Sequence, residues 1–144
     1  MTTTNLKQLE LNEFIGKEMP TQHCKATFPM LGAHGTKDSA TVYFEIEPGD
    51  NLGMHTDSAE EMLLILEGEA RVIVGDEACD ASQHSIALVP VMVPHDIINT
   101  GKSKLRVLGF FGGANHIVAT FDHEWTPGDS RIINTQQVFN EVPA

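Results

Sequence analysis

The chain has 144 residues, with nine Lys and Arg against 20 Asp and Glu, so its formal net charge is −11. This acidity argues against a nucleic-acid partner, because binding to phosphates needs clustered basic side chains. The length fits one domain over residues 1–144 that buries a core without disulfides. Cys24 and Cys79 are far apart and lack a CxxC spacing, so we expect free thiols.

The first residues of the chain lack a basic segment followed by an apolar core. No apolar run approaches the roughly 18 residues that a bilayer-spanning helix needs. These features predict a soluble cytoplasmic protein with no membrane partner.

Short apolar segments separated by Gly, Pro, Asp and Asn turns dominate the chain, and no long segment has the 3.6-residue period of a helix. This rhythm predicts an all-β barrel or sandwich. Residues 5–13 are compatible with either a helix or an extended arm. The predicted strands, in chain order, are 22–28, 40–47, 52–56, 62–66, 70–74, 85–89, 96–99, 105–111 and 116–121.

The most informative pattern is the spacing of Gly49, His55, Asp57, Glu61 and Gly68. It begins at a turn and continues into an extended stretch, where residues two apart project to one face. His55 and Asp57 therefore point the same way. Glu61 opens the next apolar strand, so we expect one imidazole and two carboxylates to converge near one point.

A second turn-and-strand segment carries Pro90, His95 and Asn99, with the imidazole at the start of the strand. This histidine is the fourth candidate ligand for a metal ion. Four ligand-type side chains in two separate segments of the chain indicate a metal site more strongly than any one of them alone.

The two segments, residues 49–68 and 84–99, resemble the paired motifs of the cupin superfamily. The first cupin motif is Gly, five residues, His-x-His, three or four residues, Glu, six residues and Gly. The second is Gly, five residues, Pro-x-Gly, two residues, His, three residues and Asn. This chain matches these motifs at Gly49, His55, Glu61, Gly68, Pro90, His95 and Asn99. It departs at three positions, where Asp57 replaces a histidine and where His84 and Met92 replace glycines.

The resemblance implies an all-β, single-domain jelly-roll barrel with N- and C-terminal arms, similar to small quercetin-dioxygenase-like or conserved-barrel cupins. It also implies that His55, Asp57, Glu61 and His95 bind one divalent transition metal per chain. Asp57 is either a direct ligand or, because its side chain is shorter than that of histidine, a group that reaches the metal through water. In the second case the other three residues form a two-His, one-carboxylate site.

Two carboxylates in the ligand set neutralise a divalent ion and give a hard, oxygen-rich site. Such a site suits Fe(II) or Mn(II) better than Cu, and no thiolate is placed to favour a structural zinc ion. Fe(II) is therefore favoured, with Mn, Ni, Co and Zn as alternatives. Four protein ligands leave two adjacent octahedral positions for a bidentate substrate, or for substrate and dioxygen.

The resemblance and this ligand set favour a dioxygenase acting on a small organic substrate such as an enol, a diketone or a phenolic compound. Asp57 and Glu61 are the candidate catalytic residues, with Glu61 as the carboxylate that detaches and accepts a proton. A metal-dependent lyase or isomerase that stabilises an enolate without oxygen is one alternative. A non-catalytic small-molecule-binding cupin is the other.

The same residues allow another interpretation. His55, Asp57 and His95, followed by Arg106, resemble the facial triad and co-substrate arginine of 2-oxoglutarate-dependent oxygenases. In this interpretation Glu61 lies outside the ligand set of the metal, and the rest of the first motif has no role. The ordinary cupin interpretation accounts for more residues.

Three further histidines, His84, His116 and His123, are candidates for proton transfer, because imidazole titrates near neutral pH. Surface or hydrogen-bonded histidines are more common than catalytic ones. The sequence places none of the three in either motif's ligand positions.

The predicted strand 62–66 is apolar on both faces. If Glu61 points into the barrel, Leu63 and Ile65 do the same, and the outward residues are Met62, Leu64 and Leu66. An apolar outer face needs a cover, either from the chain's own terminal arms or from a second subunit. Cupins commonly pair through such a sheet, so we expect a homodimer.

Overall fold

The computed structural model of the protein describes residues 1–126 and 128–140. Its elements are β1 (Asn12–Gly16), β2 (His23–Thr27), β3 (Ser39–Ile46), β4 (His55–Asp57), β5 (Glu60–Glu67), β6 (Glu69–Val74), β7 (Glu77–Ser82), β8 (Ile86–Val89), β9 (His95–Asn99), β10 (Leu105–Gly112), β11 (Val118–Thr126), β12 (Ser130–Asn134) and α1 (Thr135–Asn140). Two 3₁₀ turns lie at Leu6–Gln8 and Gly32–His34. In this part of the chain, no helix is long and apolar enough to cross a membrane.

The strands form one antiparallel sheet in the order β7-β6-β9-β4-β11-β1-β2-β3-β10-β5-β8, with β12 paired to β11. The sheet curls around a single interior, because buried side chains from strands far apart in this order form one hydrophobic cluster. Phe44 of β3, Ile97 of β9 and Phe121 of β11 all belong to it. The prediction of an all-β fold is confirmed.

The structure extends the predicted set of strands. β1 and β12 lie in segments that had no strand prediction, and β7 was missed because its residues are almost all exposed and show no alternation. β11 was expected to end at Phe121 but runs to Thr126 and carries Trp125 into the core. The predicted strand 52–56 is largely replaced by a loop, and β4 begins only at His55.

β5 alternates as its sequence predicts. Glu61, Leu63 and Ile65 are buried on the inner face, whereas Met62 is half exposed on the outer face. The inner face of β5 therefore presents one carboxylate among aliphatic side chains. The cysteines are also as expected, since Cys24 is a buried free thiol and Cys79 an exposed one.

Candidate metal centre

Three strands position the four candidate ligands. His55 of β4 lies directly opposite His95 of β9, and the two ring centroids are 4.0 Å apart. Asp57 lies two residues along β4 on the same face, and Glu61 comes from the start of β5. All four residues are buried, with exposed fractions between 2% and 6%. The structure thus brings together every ligand that the sequence predicts.

The carboxylate of Asp57 lies between the two imidazoles at the centre of the cluster. Its Oδ2 atom lies 3.0 Å from Nε2 of His95 and 3.7 Å from Nε2 of His55. His55, Asp57 and His95 each offer one ligand atom, and these atoms all lie within 4.8 Å of one another. Glu61 approaches from the side, with Oε1 3.5 Å from Nε2 of His95. Asp57, where the chain departs from the cupin motif, is therefore at least as well placed as Glu61.

Backbone carbonyl groups orient both imidazoles. Nδ1 of His55 lies 2.7 Å from the carbonyl oxygen of Gly53, and Nδ1 of His95 lies 2.9 Å from that of Val93. Because a carbonyl oxygen only accepts, each Nδ1 carries the proton and donates. In the neutral form of each ring, which is the form that binds a metal, Nε2 then carries the lone pair on the side that faces Asp57.

Two buried atoms of the cluster lack hydrogen-bond partners. Oδ2 of Asp57 and Nε2 of His95 make no hydrogen bond within the described residues, although they lie 3.0 Å apart. Buried polar atoms are almost always satisfied, so at this distance either a proton on Nε2 or a cation must lie between the two atoms. A cation bound between them satisfies both, so the donor set fits a divalent metal.

The pKa values of the clustered side chains also indicate that a cation fits this site. Burial raises the pKa of Glu61 to about 7 and lowers the pKa of His55 to about 4. Burial alone would also lower the pKa of His95, but the adjacent carboxylates of Asp57 and Glu61 outweigh it and raise that pKa to about 10. Without a metal the site therefore retains protons that a metal ion would displace.

The two residues that replace motif glycines have the backbone conformation that favours glycine. His84 has φ of 77° and Met92 has φ of 62°. Both side chains are exposed, so neither is forced into the core. Met92 also donates its backbone N–H to the carbonyl oxygen of Asp57 over 3.0 Å, and it thereby ties the loop before β9 to the metal-binding strand.

Sequence analysis missed Asp96, which supports the position of His55. Asp96 is buried and accepts hydrogen bonds from the backbone N–H of Gly53 at 2.8 Å and from the side chain of Asn51 at 3.0 Å. It fixes the loop whose Gly53 carbonyl orients His55. The only sequence signal was the position of Asp96 beside His95.

A narrow apolar cavity opens onto the four ligands. Apart from these ligands, the described residues that line it are Phe14, Cys24, Ala26, Phe28, Val42, Phe44, Leu52, Leu63, Ile97, Phe111, Ile117, Ala119, Phe121, Trp125 and Ile133. Burial raises the pKa of Cys24 to about 12 in the metal-free protein, and among the described residues this thiol is not part of the group of His55, Asp57 and His95 that could hold an ion. The metal centre is thus the polar end of an otherwise apolar chamber.

Arg106 does not reach this chamber. Its Nε donates to the hydroxyl of Tyr43 at 2.7 Å, and its Nη1 lies 3.4 Å from Glu67. It is not among the described residues that line the cavity. The interpretation of Arg106 as a co-substrate arginine beside the metal therefore has no support in the geometry.

The three additional histidines also lie outside the cavity lining. His84 is exposed, and Nδ1 of His116 lies 3.3 Å from the side chain of Asn115. His123 is buried against Trp125, with Nδ1 2.9 Å from Asp122. None of them lies among the described residues that line the metal cavity.

Comparison with known proteins gives the same fold. Residues 42–111 match the sequence model of the cupin domain. No curated protein shows significant sequence similarity to the chain. An S161A mutant of Bacillus subtilis oxalate decarboxylase superposes with a TM-score of 0.69 at 20% identity, over 81% of this chain and 31% of that one. This chain therefore spans less than a third of that enzyme, whose Mn(II) centres are the subject of another similar structure.

Two other similar structures correspond more closely in length. A predicted oxalate decarboxylase from Thermotoga maritima has a TM-score of 0.66 at 18% identity, over 77% of this chain and 98% of that one. A polyketide cyclase from Streptomyces resistomycificus has a TM-score of 0.64 at 16% identity, over 93% and 84%. At such identities the likeness establishes the jelly-roll fold alone. The matched residues 42–111 contain both motif segments, so this part of the chain is a cupin domain, and the whole chain has the jelly-roll fold.

Proposed function

We propose that the protein is a small metal-dependent cupin enzyme that binds one divalent transition metal through His55, Asp57, Glu61 and His95. The observation that carries this proposal is the pair of unsatisfied buried atoms, Oδ2 of Asp57 and Nε2 of His95, which face each other 3.0 Å apart. Their position at the wall of an apolar cavity supports a catalytic site, because a substrate in the cavity would contact the ion there.

Fe(II) is the favoured ion, and Mn(II) is the next candidate. Two imidazoles with two carboxylates form the mixed nitrogen and oxygen set that suits both ions. The Mn(II) centres of the similar decarboxylase support a divalent metal on this fold. The choice of Fe(II) rests on the dioxygenase proposal, since a bound Fe(II) ion supplies Lewis acidity and redox chemistry toward dioxygen.

The reaction that we propose is dioxygenation of an enol, a diketone or a phenolic compound. His55 and His95 direct their Nε2 atoms toward Asp57, where the ion would lie, and their Nδ1 hydrogen bonds fix the orientation of the rings. Glu61 is the candidate proton acceptor, because its carboxylate is buried at the ligand end of the cavity, with Oε1 3.5 Å from Nε2 of His95. The apolar walls exclude water from the reacting oxygen atoms.

A non-redox lyase or isomerase is a second candidate. Its support is the similarity to a polyketide cyclase over 93% of this chain, together with the same Glu61 carboxylate as a proton acceptor. In that case the ion serves only to stabilise an enolate. A cupin that binds a small molecule without turnover uses the same cavity but no reactive group.

The test combines metal analysis with oxygen uptake. Purified protein loaded with Fe(II) under argon should bind about one ion per chain, and His95→Ala should lose most of it. His84→Asn is the matched control, because His84 is an exposed histidine outside the cavity and Asn tolerates positive φ. A folded protein without affinity for Fe, Mn, Ni, Co or Zn would exclude the metal function.

Oxygen consumption then separates the candidate reactions. Diketone or catechol turnover with uptake of dioxygen supports the dioxygenase, whereas turnover under argon to a product without added oxygen supports the lyase or isomerase. Ligand binding without product under either gas supports the binding cupin. Asp57→His serves as a further variant, since it restores the usual cupin ligand while raising the charge of the site by one.

A further inference from the structure

The walls of the metal cavity contain no basic side chain. Beyond the four ligands, every described residue that lines the cavity is aliphatic, aromatic or a cysteine, and none is Lys or Arg. The carboxylates of Asp57 and Glu61 already balance the two charges of a divalent ion. An anionic substrate would therefore enter an apolar chamber without a counter-charge for its second negative group.

The same walls offer few hydrogen bonds. Among the lining residues other than the ligands, only the thiol of Cys24 and the indole N–H of Trp125 are polar. That N–H belongs to a residue with an exposed fraction of 2% and has no hydrogen-bond partner. A sugar or sugar phosphate would leave most of its hydroxyl groups unpaired here, which strongly disfavours binding.

Flat rings form one side of the cavity. Phe121 stacks on His55 with centroids 4.4 Å apart and planes inclined by 19°. Trp125 meets Phe121 edge-on at 5.0 Å, and Phe14 meets Trp125 edge-on at 5.8 Å. These faces suit planar apolar groups, which make offset or edge contacts with aromatic walls.

We infer that the substrate is an uncharged, largely apolar molecule that carries its oxygen donors at one end only. The inference rests on the proposed function, because the oxygen-bearing end lies at the metal ligands. The apolar end contacts the wall formed by Phe14, Phe121 and Trp125. Small dianions such as oxalate and polyhydroxylated substrates such as sugar phosphates are excluded by the same walls.

Two chelating probes of similar size separate these classes. Acetylacetone and oxalate each present two oxygen donors, but only oxalate carries charge and only acetylacetone has methyl groups. On Mn(II)-loaded protein, calorimetric titration should show acetylacetone binding at least about tenfold more tightly than oxalate. Oxalate affinity equal to or greater than that of acetylacetone overturns the inference. Metal-loaded protein that binds neither probe also overturns it.

Substitution of Phe14 tests whether the wall sets this preference. Phe14 is only partly buried and lines the cavity, so it tolerates change better than a core residue. Phe14→Lys should strengthen oxalate binding and weaken acetylacetone binding, whereas Phe14→Leu should preserve the preference. Circular dichroism must show that both variants are folded. An unchanged preference in a folded Phe14→Lys protein contradicts the assignment of this wall.

A metal-free measurement keeps the inference distinct from the proposed function. Trp125 is the chain's single tryptophan, so its fluorescence reports directly on the cavity wall. p-Cresol should quench it in metal-free protein, and glucose 6-phosphate should not. If no metal binds but p-cresol quenches Trp125, the proposed enzyme function fails while the apolar preference stands.

Discussion

Glu61 fits beside β10 only because residue 109 is a glycine. A Cβ atom at Gly109 would overlap Oε2 of Glu61 and would lie 2.8 Å from Cγ1 of Val42. The constraint is a close approach, since Gly109 is paired in register with Leu63 on β5 and with Val42 on β3. The absent side chain leaves the space that the Glu61 carboxylate occupies.

Gly109→Ala should therefore impair metal binding without touching any ligand. The added methyl group displaces the Glu61 carboxylate, and changes to supporting groups typically cost about 10 to 100-fold in metal affinity. Calorimetric titration with Mn(II) measures the loss. Gly112→Ala on the same strand is the control, because nothing lies within 4 Å of its added Cβ. Equal affinities in the two variants would show that the fit around Glu61 is unimportant.

Residue spacing predicts the ligands but not the groups that support them. His55 and Asp57 share a face by the two-residue period of a strand, which is a local rule. Gly109 and Asp96 act on Glu61 and His55 through contacts between strands that are distant in sequence. No short-range pattern specifies such contacts, so the sequence alone could not have identified them.

The two faces of β5 lie in different environments. Its inner face carries Glu61 toward the metal centre, and its outer face is part of an apolar surface. This surface is built from two cross-strand rows on β10, β5 and β8: Phe110, Met62 and Leu88 in one, and Leu108, Leu64 and Ile86 in the other. Exposed fractions of 50% for Met62 and 68% for Ile86 leave much of it in contact with solvent.

We propose that a second copy of the chain covers this surface, as the apolar outer face of β5 suggests. Sedimentation at micromolar concentration should give about twice the chain mass of 15.7 kDa. Met62→Glu should shift the protein toward monomer, because pairing would bury an unpaired charge. Thr120→Glu places the same charge at an exposed strand position on β11 and should leave the mass unchanged. A monomer in the unsubstituted protein excludes the dimer.

Strands were predictable where burial imposes alternation. β5 and β10 each have one face against the core, and their sequences alternate accordingly. β7 pairs only with β6 at the end of the sheet and is nearly all exposed, so its sequence carries no such signal. The last part of β11 was missed because a polar residue, His123, interrupts the apolar series at the inward positions of Phe121 and Trp125.

The whole molecule buries four ionisable groups at one end of its apolar interior, so its stability is linked to protons. In the metal-free protein, the pKa of Glu61 is raised to about 7 and that of His95 to about 10. A raised pKa contributes stability at low pH that is lost as pH rises through the folded-state value. A bound metal replaces these protons, so metal affinity should increase over the same range.

As pH rises from 6.5 to 8.5, the stability of the metal-free protein should therefore fall, whereas that of the Mn(II)-loaded protein should rise. His55 is neutral throughout this window, because burial lowers its pKa to about 4. At about 1.4 kcal/mol per pKa unit, loss of the His95 contribution should destabilise the metal-free protein by about 2 kcal/mol. At about 3 °C per kcal/mol, its Tm should fall by about 6 °C relative to the loaded protein, as measured by calorimetry.

General repulsion from the acidic surface affects both forms and cancels in the difference. His95→Ala should abolish most of the divergence, and parallel Tm curves for the unsubstituted protein with and without Mn(II) would contradict the linkage.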